Sequence, residues 1–318
     1  MWCHADYVFV FVIVSIVVRY GYPMNIKKNQ FDTIVIFGDS NSDTGNIYNM
    51  TRNQMPPIPY YQGRFSNGPI WVDKLNVSSL INYAHGGATT DNDFVQGSIN
   101  PFVPRVPGVR QQIKTYMDSM STSDIDFYRT LYVVWAGGND YLVNRTSSPL
   151  TIANSLSNAS EALVMFGAKH LVLANQPPLQ IIPYLQTFNS NIPLSNLTNQ
   201  YNDHLLTNIR KLQGINTVIS LKVFDLYSLV TKILVNASVY GFTSTNSSCW
   251  YPPPSVTTVC KNPESYVFFD DVHFTTRMHE LIAEEFLPFI SVSGRNRFSM
   301  SFLAICIWIL LAQFSSST

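Results

Sequence analysis

The sequence predicts an α/β fold in which a mostly parallel, five-stranded sheet is covered by helices on both sides. Two patterns point to it. Five short runs, 33–39, 80–84, 131–137, 170–176 and 217–225, are rich in Val, Ile, Leu and aromatic residues and lack strict alternation, as strands buried on both faces do. Four stretches, 108–120, 151–167, 197–212 and 275–290, carry apolar residues at helical intervals. Strand and helix in turn imply parallel neighbours joined by crossovers, with ligands bound beyond the carboxyl ends of the strands. A third observation limits the size: 318 residues, 46 % apolar and 13 % charged, with no internal repeat or linker, suit one enzyme-sized domain. Lys+Arg and Asp+Glu balance at 20 each, so no nucleic-acid partner is expected.

From the amino end, the run Tyr7–Val18 (YVFVFVIVSIVV) is shorter than the roughly 20 residues of a membrane span and lies where a signal peptide has its apolar region. Residues 1–22 are assigned to it. An uncleaved anchor is the alternative, because Arg19 follows the run and RYGYP is a poor cleavage site. The first strand of the body, 31–290, runs into GDSNSDTGN. Asp39, Asn41 and Asp43 have the one-three-five spacing of a calcium loop, but Gly45 comes one place late and Met50 stands where a bidentate Glu is needed. A phosphate loop would need a lysine that is not there. What remains is Ser40 at the end of a buried strand, beside Asp39, where a tight turn would expose its hydroxyl.

A serine is a weak nucleophile without a base, and the base needs a partner that fixes its tautomer. Of the six histidines, His4 lies in the export segment, His170 opens a strand, His204 lies in a helix and His279 on the terminal helix. His85 adjoins a glycine pair with no carboxylate near it in sequence. Only His273, in FFDDVHFTT, has an acid three residues before it, Asp270, in a loop ahead of the last helix. Acyl transfer also needs donors for the developing oxyanion. The loops AHGGATTDN (84–92) and WAGGND (135–140) follow the second and third strands and should reach the same edge as Ser40. Gly87 can offer an unobstructed N–H and Asn139 a side-chain amide; taken singly, each glycine pair reads equally as a turn. The long loops 46–79 and 85–108, rich in Pro, Gly, Asn and aromatics, should shape the site.

Of four cysteines, Cys3 and Cys306 fall in the terminal segments. Cys249 and Cys260 bracket a proline-rich loop and are expected to pair in an oxidising compartment; no further cysteine or histidine cluster suggests a metal. Sequons at Asn49, Asn76, Asn144, Asn158, Asn196, Asn236 and Asn246 also suggest export and glycosylation. In 291–318, SVSGRNR precedes an apolar tail, the layout of a lipid-anchor attachment signal, with a tail anchor as the alternative. Either end could attach the protein to a membrane.

The blocks FGDSNSDTGN, NYAHGGATTDN, GGND and DDVHFT resemble those of the GDSL, or SGNH, serine esterases and lipases, with GRFSNGPIWVD (63–73) and ANQPPLQIIP (174–183) as further similar segments. The resemblance spans roughly 31–290. It implies a flavodoxin-like three-layer α/β/α sandwich and cofactor-free ester hydrolysis through an acyl-enzyme. The nucleophile would fall on Ser40, the base on His273, the acid on Asp270, and the oxyanion donors on the Ser40 N–H, Gly87 and Asn139, with the choice between Gly86 and Gly87 open. Asn41 replaces the leucine of the family name and Phe274 the usual proline after the histidine. G-x-S-x-G is absent, unlike the elbow of α/β-hydrolases.

Within the family, DTGN, NYAxGGATTDN and VPGVRQQI look most like secreted carbohydrate acetylesterases of carbohydrate esterase family sixteen. That implies a small-molecule or oligosaccharide ester as substrate and short acyl groups. Asp39, His85, Trp71 and Trp135 are the expected pocket residues. Trp71 and Trp135, with Tyr60, Tyr61 and Phe65, could stack on sugars or simply pack the core. A lipase would want a long apolar groove and a lid, whereas these loops are polar and asparagine-rich. The rival outside enzymes is a catalytically silent cell-surface glycan-binding protein, which the complete set of catalytic residues disfavours.

Overall fold

A computed structural model describes residues 29–99, 103–187, 193–215, 220–251 and 258–291. The apolar terminal runs, with Cys3 and Cys306, and the proline-rich stretch 252–257 lie outside the described residues. In chain order the strands are β1 (Thr33–Gly38), β2 (Ser79–Asn82), β3 (Gly97–Ile99), β4 (Val103–Val106), β5 (Thr130–Trp135), β6 (His170–Ala174), β7 (Ser220–Phe224), β8 (Ser244–Ser248) and β9 (Tyr266–Phe268). The helices are α1 (Asn46–Met50), α2 (Val109–Ser119), α3 (Gly138–Val143), α4 (Pro149–Phe166), α5 (Pro183–Gln186), α6 (Leu194–Ile215), α7 (Leu226–Val235) and α8 (Thr276–Ile290).

The five expected strands form one sheet in the order β2-β1-β5-β6-β7, every neighbouring pair parallel. Central strands must bury both faces. In β1, Ile34, Val35, Ile36 and Phe37 are all fully buried, and β5 is buried along its whole length. Phe37 and Tyr132 meet Tyr116 of α2 on one face, and Trp135 meets Trp71 and, through it, Phe286 of α8 on the other. Helices α2, α4 and α6 form the first outer layer; a 3₁₀ turn at Trp71–Lys74, α8 and α7 form the second. This is the flavodoxin-like three-layer sandwich.

From β1 the chain adds β2 on one side and then returns to build β5, β6 and β7 on the other. The crevice beyond β1 and β5 is therefore the topological switch point. Two stretches expected as plain loops carry small elements. Residues 46–79 contain α1 and the Trp71–Lys74 turn, and 85–108 contain the antiparallel pair β3–β4. β8 and β9 form a parallel pair shortly before the last helix. Asp225 starts α7, accepting the Ser228 N–H at 3.1 Å as an N-cap.

Candidate active site

Gly38 ends β1, and Gln112 of α2 clamps its backbone: Oε1 accepts the Gly38 N–H at 2.9 Å and Nε2 donates to the Gly38 carbonyl at 2.9 Å. A Cβ at Gly38 would lie 2.5 Å from the Trp135 carbonyl oxygen, so only glycine permits this closeness of β1 and β5. The chain then turns, with the Ser42 N–H donating to the Asp39 carbonyl at 3.0 Å. The Asp39 carboxyl accepts from the Asn41 N–H at 2.9 Å and from Asn41 Nδ2 at 3.1 Å. Ser40 stands on this braced turn at the carboxyl edge of the sheet.

Asp270 and His273 come from the turn between β9 and α8. Asp270 Oδ1 accepts the N–H groups of Val272 at 2.8 Å and His273 at 2.5 Å, which holds the carboxylate within its own turn. Asp270 Oδ2 lies 2.7 Å from His273 Nδ1, and His273 Nε2 lies 2.9 Å from Ser40 Oγ. An ionised carboxylate only accepts, so Nδ1 carries the proton and Nε2 turns its lone pair to the serine hydroxyl. Such an arrangement can take a proton from Ser40.

Burial opposes a charged His273, but attraction to Asp270 and its hydrogen bond, helped by Asp39 and Asp271, outweighs it and raises the imidazole above its ordinary value. Asp270 is also opposed by burial, yet His273 and a hydrogen bond from Tyr60 hold it below the usual carboxylate range. Asp39, beside the nucleophile, is pushed up by burial to about 6.

Asn139 opens α3 and donates from Nδ2 to the Ala88 carbonyl at 2.8 Å, leaving its second amide hydrogen for the cleft that it lines. Of the two glycines left open by sequence, Gly86 gives its N–H to Asp43 Oδ2 at 2.8 Å, so Gly87 is the candidate donor. Gly87 has φ of 76°, and a Cβ there would meet the Ser98 carbonyl oxygen at 2.5 Å. Two organising residues escaped the sequence reading. Asp43 also accepts the N–H groups of Gly45 at 2.8 Å, Asn46 at 2.6 Å and Ile47 at 3.2 Å. Asp140 accepts the Thr90 N–H at 3.0 Å and its hydroxyl at 2.7 Å, and burial pushes it up to about 7. Both sit inside the motif blocks, DTGN and GGND, where an acid with no partner in sequence was the available signal.

Ser40, Asp39, Trp135 and Asn139 line one cleft, together with Asn41, Gln176 and an apolar wall that includes Leu142, Leu179, Ile182 and Phe274. Gly87 lies outside that lining, one residue from the carbonyl that Asn139 holds. Two expected pocket residues are corrected. Trp71 is buried in the core: its Nε1 donates to Ser42 Oγ at 3.2 Å and its ring packs 5.0 Å from Phe286, since an indole whose one donor is satisfied is a good core residue. His85 turns Nδ1 to the Tyr83 carbonyl at 2.7 Å and does not line the cleft. Tyr60 and Phe65 pack beside His273 and so offer no open stacking face.

Cys249 and Cys260 are joined in a disulfide. The sequon asparagines 49, 76, 144, 158, 196, 236 and 246 are all exposed. Among the described residues there is no group of three metal-ligating side chains, and no helix long and apolar enough to cross a membrane.

The model of the family "GDSL-like Lipase/Acylhydrolase" matches residues 34–286. The chain is 27 % identical over 314 residues to a phosphatidylcholine-sterol acyltransferase of Aeromonas hydrophila, covering 83 % of this chain and 91 % of that one. It is 25 % identical over 352 residues to acetylajmalan esterase 2 of Rauvolfia serpentina, covering 87 % and 95 %. Among solved structures, a member of the lipolytic G-D-S-L family from Veillonella parvula aligns with a TM-score of 0.45 at 16 % identity, covering 83 % of this chain and 99 % of that one.

Proposed function

The chain belongs to the GDSL-like lipase/acylhydrolase family and is a hydrolase of ester bonds; from that premise we propose that it removes short acyl groups, acetyl above all, from carbohydrates through an acyl-enzyme. The observation that carries the mechanism is the unbroken hydrogen-bonded line from Ser40 Oγ to His273 Nε2, 2.9 Å, and from His273 Nδ1 to Asp270, 2.7 Å. His273 takes the Ser40 proton as Oγ attacks the ester carbonyl, and Asp270 balances the imidazolium that forms. The carbonyl oxygen, now negative, is held by the N–H groups of Ser40 and Gly87 and by the Asn139 amide. The adduct collapses, breaking the bond to the alcohol, which leaves with the proton from His273. A water deprotonated by His273 then attacks the acyl-enzyme, releasing the acid and restoring Ser40.

The short-chain reading is supported by the cleft. Trp135, Leu142, Leu179, Ile182 and Phe274 close in on the Ser40 side of it. A narrow wall of this kind is what a short acyl group would contact. Asp39, Asn41, Asn139 and Gln176 give the cleft a polar side, suited to a hydroxylated alcohol. The second reading, a lipid acylhydrolase, draws on the similarity to the phosphatidylcholine-sterol acyltransferase. Export, with the disulfide formed and the exposed sequons glycosylated, completes the proposal; membrane attachment through the terminal runs is part of it, although those runs lie outside the described residues.

Ser40→Ala should keep the melting temperature and lose hydrolysis of 4-nitrophenyl acetate; full activity in it would sink the assignment. Rates on acetyl, octanoyl and palmitoyl esters, measured beside acetylated xylan fragments, separate the two substrate readings. Turnover confined to palmitoyl esters would overturn the carbohydrate one.

A further inference from the structure

Tyr60 is a half-buried group at the triad with no part in the reaction steps above. It lies in the loop between α1 and β2, yet its hydroxyl donates to Asp270 Oδ2, the oxygen that also holds His273 Nδ1–H. Its ring is enclosed edge-on by four others, with centroids 5.9 Å from Phe65, 5.2 Å from Trp250, 5.5 Å from Phe269 and 6.3 Å from His273. Trp250 is itself anchored: it follows Cys249 of the Cys249–Cys260 disulfide, stacks on Phe269 and donates its backbone N–H to the Phe269 carbonyl at 2.7 Å. The phenol is thus held in place by a disulfide-closed loop on one side and by the histidine turn on the other.

We infer that Tyr60 is a positioning residue for ester hydrolysis: its clamped hydroxyl shares the charge of Asp270 Oδ2 and so sets how strongly that carboxylate draws a proton onto His273. The inference rests on the Ser40–His273–Asp270 assignment. Asp270 Oδ1 keeps its two backbone donors whatever stands at position 60. Loss of the phenol therefore does not release the carboxylate; it concentrates negative charge on Oδ2, beside the imidazole, and favours the protonated form of His273. The other titratable groups that act on His273 are Asp39, Asp271 and His279, and the substitution removes none of them.

The test is the pH dependence of kcat/KM for 4-nitrophenyl acetate, whose acid limb reports protonation of the base. In Tyr60→Phe, which keeps the ring contacts, the limb should move up by about half a pH unit or more, with activity on the alkaline plateau retained. Half a unit is about a threefold loss on the acid side. Incorporation of 3-fluorotyrosine at position 60, a more acidic and stronger donor of nearly the same size, should move the limb down, and it decides the matter if the Phe variant does not fold. A limb that stays in place in a folded variant, or a uniform loss at every pH, overturns the inference by reducing Tyr60 to packing. Ser40→Ala run alongside separates the failures: activity there sinks the parent assignment, whereas an unmoved limb with Ser40→Ala inactive sinks only the role of Tyr60.

Discussion

Replacing Asp43 by Asn tests whether one buried carboxylate ties the nucleophile loop to the oxyanion loop. Asp43 is fully buried. Its Oδ1 accepts Gly45 N–H at 2.8 Å and Asn46 N–H at 2.6 Å, and its Oδ2 accepts Ile47 N–H at 3.2 Å and Gly86 N–H at 2.8 Å. Burial raises this acid and the four backbone donors pull it back. Asparagine offers one acceptor oxygen, so whichever way the amide turns, two N–H groups face an NH2. Each orphaned buried donor costs about 1–3 kcal/mol, which puts the loss at roughly 2–6 kcal/mol. For a domain of this size each kcal/mol lowers the melting temperature by about 2–4 °C, so a drop on the order of 10 °C is expected. Turnover should fall as well, because a released Gly86 no longer fixes Gly87. Thermal melts and the 4-nitrophenyl acetate rate below the new transition measure both. A variant that melts within about 1 °C of the parent and keeps its kcat would refute the reasoning.

The other predictions concern separate parts of the site and core. Asn139→Ala removes the side-chain amide proposed as an oxyanion donor and should lower kcat by about 10²–10³-fold with KM little changed; steady-state kinetics on acetyl esters decide, and an unchanged kcat would remove Asn139 from the hole. His279 is buried and neutral, its pKa lowered by burial from 6.5 to about 3, and its Nδ1 has no partner. In the unfolded chain it takes a proton below about 6.5, so its contribution to stability is present above that pH and is lost as pH falls toward 3, roughly 4–5 kcal/mol in all. His279→Leu should flatten the fall in urea-unfolding free energy between pH 6.5 and 4; equal slopes in variant and parent would contradict this.

Much of this was readable along the chain because the signals were local. The strand expected at 33–39 is β1, Thr33–Gly38, and the helix expected at 275–290 is α8, Thr276–Ile290. A doubly buried strand or an amphipathic helix writes its burial into consecutive residues. β3 and β4 were missed for the opposite reason: with three and four residues, they are too short for a period to register. Asp43 was legible as part of a motif and illegible as a partner of Gly86, since the two are 43 positions apart.

By itself the sequence determined the layered α/β architecture and the disulfide pairing, and it singled out Ser40, Asp270 and His273 as candidates, because each depends on a period, an isolated pair or a motif. Only the tertiary structure decided which glycine keeps its N–H, that Trp71 and His85 do not line the cleft, and that Tyr60 reaches Asp270 from 210 positions away. Those outcomes depend on which buried donor meets which acceptor, and that choice is made among groups brought together only when the sheet closes and water is excluded.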